Sequence, residues 1–191
     1  MKTPKIGEED DFLDFMTEHR AHCVVMVERV DPSDITGVNR YWETLPSFPH
    51  VNSKYKVEQF HFHDGGCYTL HLLKFRRHES TGAFHRFVVF HCYMSHDIDV
   101  PQNDFEFVNF VTHTKIMCRR LNKLKSVCRI IVHNDGGVGF AAMYTAIEIG
   151  KEDVLCSDRA TEILRVLKKN PHLRDITRKQ MYFVRRALRT L

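Results

Sequence analysis

The segment Ile130-Ile131-Val132-His133-Asn134-Asp135-Gly136-Gly137-Val138-Gly139-Phe140-Ala141-Ala142 constrains this chain more than any other. Its β-branched apolar run reads as a buried strand, its glycines as a tight turn, and residues 141–149 as a helix. A strand that hands over to a helix through so short a turn belongs in a layered α/β arrangement, because each element must bury its apolar side against another. The turn also aims backbone N–H groups at one point. With roughly half a positive charge at the helix N-terminus behind it, that geometry suits an anion.

The remaining pattern agrees with this class. Residues 10–20 place Phe12, Phe15 and Met16 at helical spacing, with Leu13 beside them, ahead of a buried strand over 23–30. Three strands are predicted at 55–64, 67–77 and 85–94, separated by Gly65-Gly66 and by Glu79-Ser80-Thr81-Gly82. Such short connections make them an antiparallel meander. Residues 103–124 read as a long helix, 129–133 as a central strand, and three helices follow. The expected fold is α/β, a mixed, largely antiparallel twisted sheet flanked by helices, in a single domain over residues 1–191.

The same segment resembles the signature loop of the protein tyrosine phosphatases, which reads His-Cys-x-x-Gly-x-Gly-Arg-Ser/Thr-Gly after a Val/Ile-rich strand. His133, Gly137, Val138 and Gly139 match in register, and Asp135 and Gly136 fill the variable positions. The family's nucleophilic cysteine falls on Asn134, its phosphate-gripping arginine on Phe140, and the following hydroxyl residue on Ala141. An asparagine amide has no nucleophilic lone pair to replace a thiolate. A phenyl ring cannot form the two charge-assisted hydrogen bonds through which arginine meets phosphate in the transition state. An inward-pointing Asp135 would repel a phosphate by about 4 kcal/mol per unit charge at 4 Å and an effective dielectric near 20.

Other segments carry the resemblance along the chain, from about residue 10 to the C-terminus. Asp11-Phe12-Leu13, Cys23-Val24-Val25-Met26-Val27 and Tyr41-Trp42 are similar to the family's "DFW" helix start, "IVM" strand and "YW" loop end. The stretch from Phe90 to Pro101 resembles the general-acid loop, with Asp97 on the acid position and Ser95 and His96 replacing the tryptophan and proline before it. Ile176-Thr177-Arg178-Lys179-Gln180-Met181-Tyr182-Phe183 is similar to Gln-Thr-x-x-Gln-Tyr-x-Phe, which puts Ile176 on the position of the glutamine that helps place the family's hydrolytic water. An aliphatic side chain cannot orient water. The chain is short for this family by about its first third, so the fold implied is tyrosine-phosphatase-like with the N-terminal portion missing. The substrate-stacking tyrosine loop has no counterpart in residues 1–9.

The resemblance therefore implies a pseudophosphatase with no catalytic residue, no cofactor and no metal. It would act by binding signalling proteins or competing for them, and phosphotyrosine binding is not expected. Shortened, degenerate members of this kind are carried by the bracoviruses of parasitoid wasps, where the wider family is associated with suppressed haemocyte adhesion and phagocytosis. That implies a virulence factor in the cytoplasm of an infected host cell. The competing expectation is a hydrolase of altered chemistry, using Asp135 or Asp97 with a histidine or a metal.

Composition narrows the partners further. With 43% hydrophobic and 11% aromatic residues the chain has the makings of an ordinary globular core, and no apolar run is long enough for a transmembrane segment. Net charge is +4, concentrated in Arg165, Lys168, Lys169, Arg174, Arg178, Lys179, Arg185, Arg186 and Arg189. On amphipathic helices this reads as a solvated face, and no nucleic-acid motif accompanies it. Cys23, Cys67, Cys92, Cys118, Cys128 and Cys156 are scattered singly, which favours reduced cytosolic thiols. Cys128 is too far from Asn134 along an extended strand to replace the nucleophile, on the order of 20 Å. His61 and His63 share one face of a predicted strand, without the further ligands that zinc requires.

Overall fold

A computed structural model describes residues 4, 7–29, 53–94, 100–121, 129–133, 138–152, 169 and 176–189. Helix α1, Glu9–Glu18, carries Glu9, Asp10 and Asp11 in its first turn, where carboxylates favour the positive end of the dipole. It buries Phe12, Leu13 and Met16. Arg20, at φ 49°, ends it by letting the Ala21 N–H reach back to the Met16 carbonyl at 3.0 Å.

The strands are β1, Cys23–Arg29; β2, Tyr55–Asp64; β3, Tyr68–Arg77; β4, His85–Met94; and β5, Ile130–His133. They form one sheet in the order β2-β3-β4-β1-β5. β2, β3 and β4 make the expected antiparallel meander, while β1 runs parallel to both β4 and β5. A bulge between Gln59 and His61 shifts the register of β2, so His61 and His63 fall opposite Leu72 and Leu70 on a common face.

Strand alternation divides the core in two. On one face Val24, Met26, Leu73, Phe75, Phe87 and Val89 pack against Phe12, Leu13 and Met16 of α1. On the other, Cys23, Val25, Val27, Leu70, Val88 and Phe90 lie beneath helices α2, Asp104–Leu121; α3, Val138–Glu152; and α4, Arg178–Arg189. Residues 23–27 of β1 are wholly buried because helices cover both faces there, which explains an apolar run with no polar alternation. Asn103 caps α2, its Oδ1 accepting the N–H groups of Phe105 at 3.0 Å and Glu106 at 3.3 Å.

Two expectations are corrected. β5 lies at an edge of the described sheet, beside β1 only, and its Ile130, Ile131 and Val132 are half-buried rather than buried; a β-branched run looks the same at an edge as at the centre. Cys23, Cys67 and Cys92 are free, but Cys118 is disulfide-bonded, its partner lying outside the described residues. Single spacing along the chain says nothing of proximity in space. Tyr41-Trp42, Cys128 and all of residues 153–175 except a helical Lys169 also lie outside the described residues.

Candidate functional site

β5 delivers His133 to the end of the sheet, and α3 begins five residues later at Val138. Asn134, Asp135, Gly136, Gly137 and the predicted acid Asp97 lie outside the described residues. What surrounds that loop is defined. His133 is fully buried, its ring edge-on to Phe12 at 6.2 Å. Burial penalises its charged form and pushes its pKa down to about 3, so the imidazole is neutral at physiological pH.

Phe140 and Ala141, on the family's arginine and hydroxyl positions, stand in the first turn of α3 and are each 8% exposed. Both are buried, and Phe140 belongs to the apolar cluster beneath the helices. Ile176, on the water-placing position, is 7% exposed and joins the same cluster. These side chains do what their chemistry suits them for, which is to exclude water.

The start of α4 meets the start of α3 through a glycine. Thr177 is the cap of α4: its Oγ1 accepts the Gln180 N–H at 3.2 Å, and Gln180 Oε1 accepts the Thr177 N–H at 2.9 Å. This is a reciprocal capping box. The Gln180 carboxamide, 6% exposed, lies so close to Gly139 that a Cβ there would stand 2.2 Å from its Nε2. Gly139 is thus required by close approach of a side chain. Sequence reasoning aligned Gln180 with the family but missed this packing; the Thr-x-x-Gln spacing before an apolar run was the available signal.

No thiolate is poised among the described residues. Burial pushes up the thiols of Cys23, Cys92 and Cys67, keeping them protonated. Cys67 lines a separate groove of about 410 Å³ between the β2 to β3 turn and α2, with Tyr68, Glu106, Asn109 and His113. There the Tyr68 hydroxyl is hydrogen-bonded to His113 Nδ1, and burial lowers the pKa of that imidazole.

The basic face of α4 is solvated as expected: Arg178, Lys179, Arg185, Arg186 and Arg189 are exposed while Phe183, Val184 and Ala187 face inward. Arg186 pairs with Asp104 of α2, one contact at 2.6 Å. No described helix is long and apolar enough to cross a membrane.

The protein-tyrosine phosphatase family model matches residues 3–188, nearly the whole chain. No curated protein matches it.

Proposed function

We propose, given that this chain belongs to the protein-tyrosine phosphatase family, that it is a catalytically inactive member which acts by binding signalling proteins or competing for them. The observation that carries this reading is the burial of Phe140, at 8% exposure, in the apolar core. The side chain on the guanidinium position is committed to packing, so neither the charge nor the bidentate hydrogen bonds that meet a phosphoryl transition state are supplied from it. Asn134 and Ile176, by residue type, remove the nucleophile and the water-placing amide. Gly139 then serves as the seat of Gln180.

The resemblance to bracovirus proteins extends this reading to a virulence factor that suppresses adhesion and phagocytosis by host immune cells. The competing reading is a hydrolase using Asp135 or Asp97 with a histidine or metal. Within the fold, the buried His133 is neutral, with its imidazolium form disfavoured until about pH 3. The test is capture of partners from haemocyte lysate with and without a saturating phosphotyrosyl peptide. Partners retained under competition are expected; partners displaced by the peptide would place binding in the pocket and contradict the proposal.

A further inference from the structure

The helix-bearing face of the sheet stays apolar along β3 and β4 as far as Leu72 and Val88. Beyond them, toward the β3 to β4 turn, the same face becomes charged. Pairing register sets its side chains in two rows. Lys56 lies opposite Arg76, with Phe84 beside it just ahead of β4; Glu58, Lys74 and Arg86 form the next row. These positions alternate with Tyr55, Val57, Phe75 and Phe87, which are buried on the α1 side.

Two of the cross-strand pairs join like charges, Lys56 with Arg76 and Lys74 with Arg86. Like charges directly opposite repel, and sheets normally avoid them. Glu58 offsets part of this, reaching Lys56 at 3.0 Å and Lys74 at 2.7 Å. Among the described residues no carboxylate pairs with Arg76 or Arg86. Arg76 and Lys74 instead lie over the Phe84 ring, 4.6 and 4.8 Å from its centre, which holds both against the sheet. A lysine on the edge strand alone would be explained as protection against aggregation, but Lys74 and Arg86 stand on inner strands.

We propose that this patch docks an extended acidic segment of a partner protein. Strands lie about 4.8 Å apart and alternate residues about 6.8 Å apart, so the two rows span about 10 Å by 7 Å. Carboxylates at alternate positions of an extended peptide repeat at that same ~6.8 Å spacing. Guanidinium forks meet carboxylates bidentately, and among the described residues Arg76 and Arg86 are the groups left without one. Phe84 is half-buried with cations over its ring, so the rows offer neither a stacking platform for bases nor an apolar side chain to enter lipid. The assignment names the partner chemistry of the binding reading above and rests on it.

The test is fluorescence anisotropy of a labelled peptide of alternating glutamate and threonine, titrated with the full chain at physiological salt. Arg76→Glu/Arg86→Glu should weaken binding about tenfold or more, and Glu58→Gln, which removes the only acid in the rows, should tighten it about threefold. Unchanged affinity in the double reversal overturns the proposal. So does tighter binding of phosphatidylserine vesicles or of a single-stranded oligonucleotide than of the peptide. Should the double variant fail to fold, Glu58→Gln decides alone, and no gain there overturns the proposal as well. Phosphotyrosine turnover by the wild type would defeat the inactive-member reading and leave these affinities as measured, so the two failures are separable.

Discussion

Gly139→Ala should destabilise this protein, although alanine is ordinarily the better helix former by about 1 kcal/mol. The new Cβ would stand 2.2 Å from both Nε2 and Oε1 of Gln180 and 2.5 Å from its Cδ. A free glutamine would swing aside, but this one is 6% exposed and its Oε1 holds the Thr177 N–H at 2.9 Å. Displacing it breaks half of the capping box, a loss of about 1 kcal/mol. It also leaves a buried amide unpaired, which costs about 1–3 kcal/mol. Set against the helix gain, the net loss is about 1–3 kcal/mol, or about 2–12 °C in Tm for a chain of this size. Urea titration of wild type, Gly139→Ala, Gln180→Ala and the double variant closes a thermodynamic cycle. In the Gln180→Ala background, the same change at Gly139 should be neutral or stabilising. A rise in stability on Gly139→Ala alone would refute the reasoning.

Three further outcomes follow from burial around the loop. Phe140→Arg forces a guanidinium into the apolar cluster and should cost about 3 kcal/mol or more by urea denaturation; an unchanged midpoint would show that the position faces water. Asn134→Cys/Phe140→Arg is accordingly expected to restore little aryl-phosphate turnover, and family-like rates would contradict this. His133 is held neutral when folded, whereas the unfolded chain protonates it near pH 6.5. Its contribution is therefore complete above pH 6.5 and drains as pH falls toward 3, by up to about 1.4 kcal/mol per unit. Stability of His133→Gln relative to wild type should improve by about that slope between pH 6 and 4; a constant difference would contradict it.

Much of this architecture is legible in the residues, and the exceptions have physical causes. Strands β2 and β4 carry the predicted bounds because glycine and polar turns delimit them sharply. The β5 run reads as a buried strand, yet Ile130, Ile131 and Val132 are only half-buried and His133 alone is fully buried, because β-branched side chains do not distinguish a central strand from an edge. At the candidate site, alignment assigned Phe140 and Ile176 to the family's reactive positions, yet only packing shows that both have joined the core. Gln180 was visible as a letter of a motif, while its seat on Gly139 depends on how α3 and α4 cross. The bond at Cys118 and the two cationic rows likewise arise from proximity across the fold, which spacing along the chain does not encode.

The most direct measurement is hydrolysis of a phosphotyrosyl peptide and of a small aryl phosphate by the purified wild-type chain, with and without divalent metal. No turnover above buffer is expected under either condition. Saturable release of phosphate, abolished by Asp135→Ala, would contradict the inactive assignment and establish the hydrolase instead.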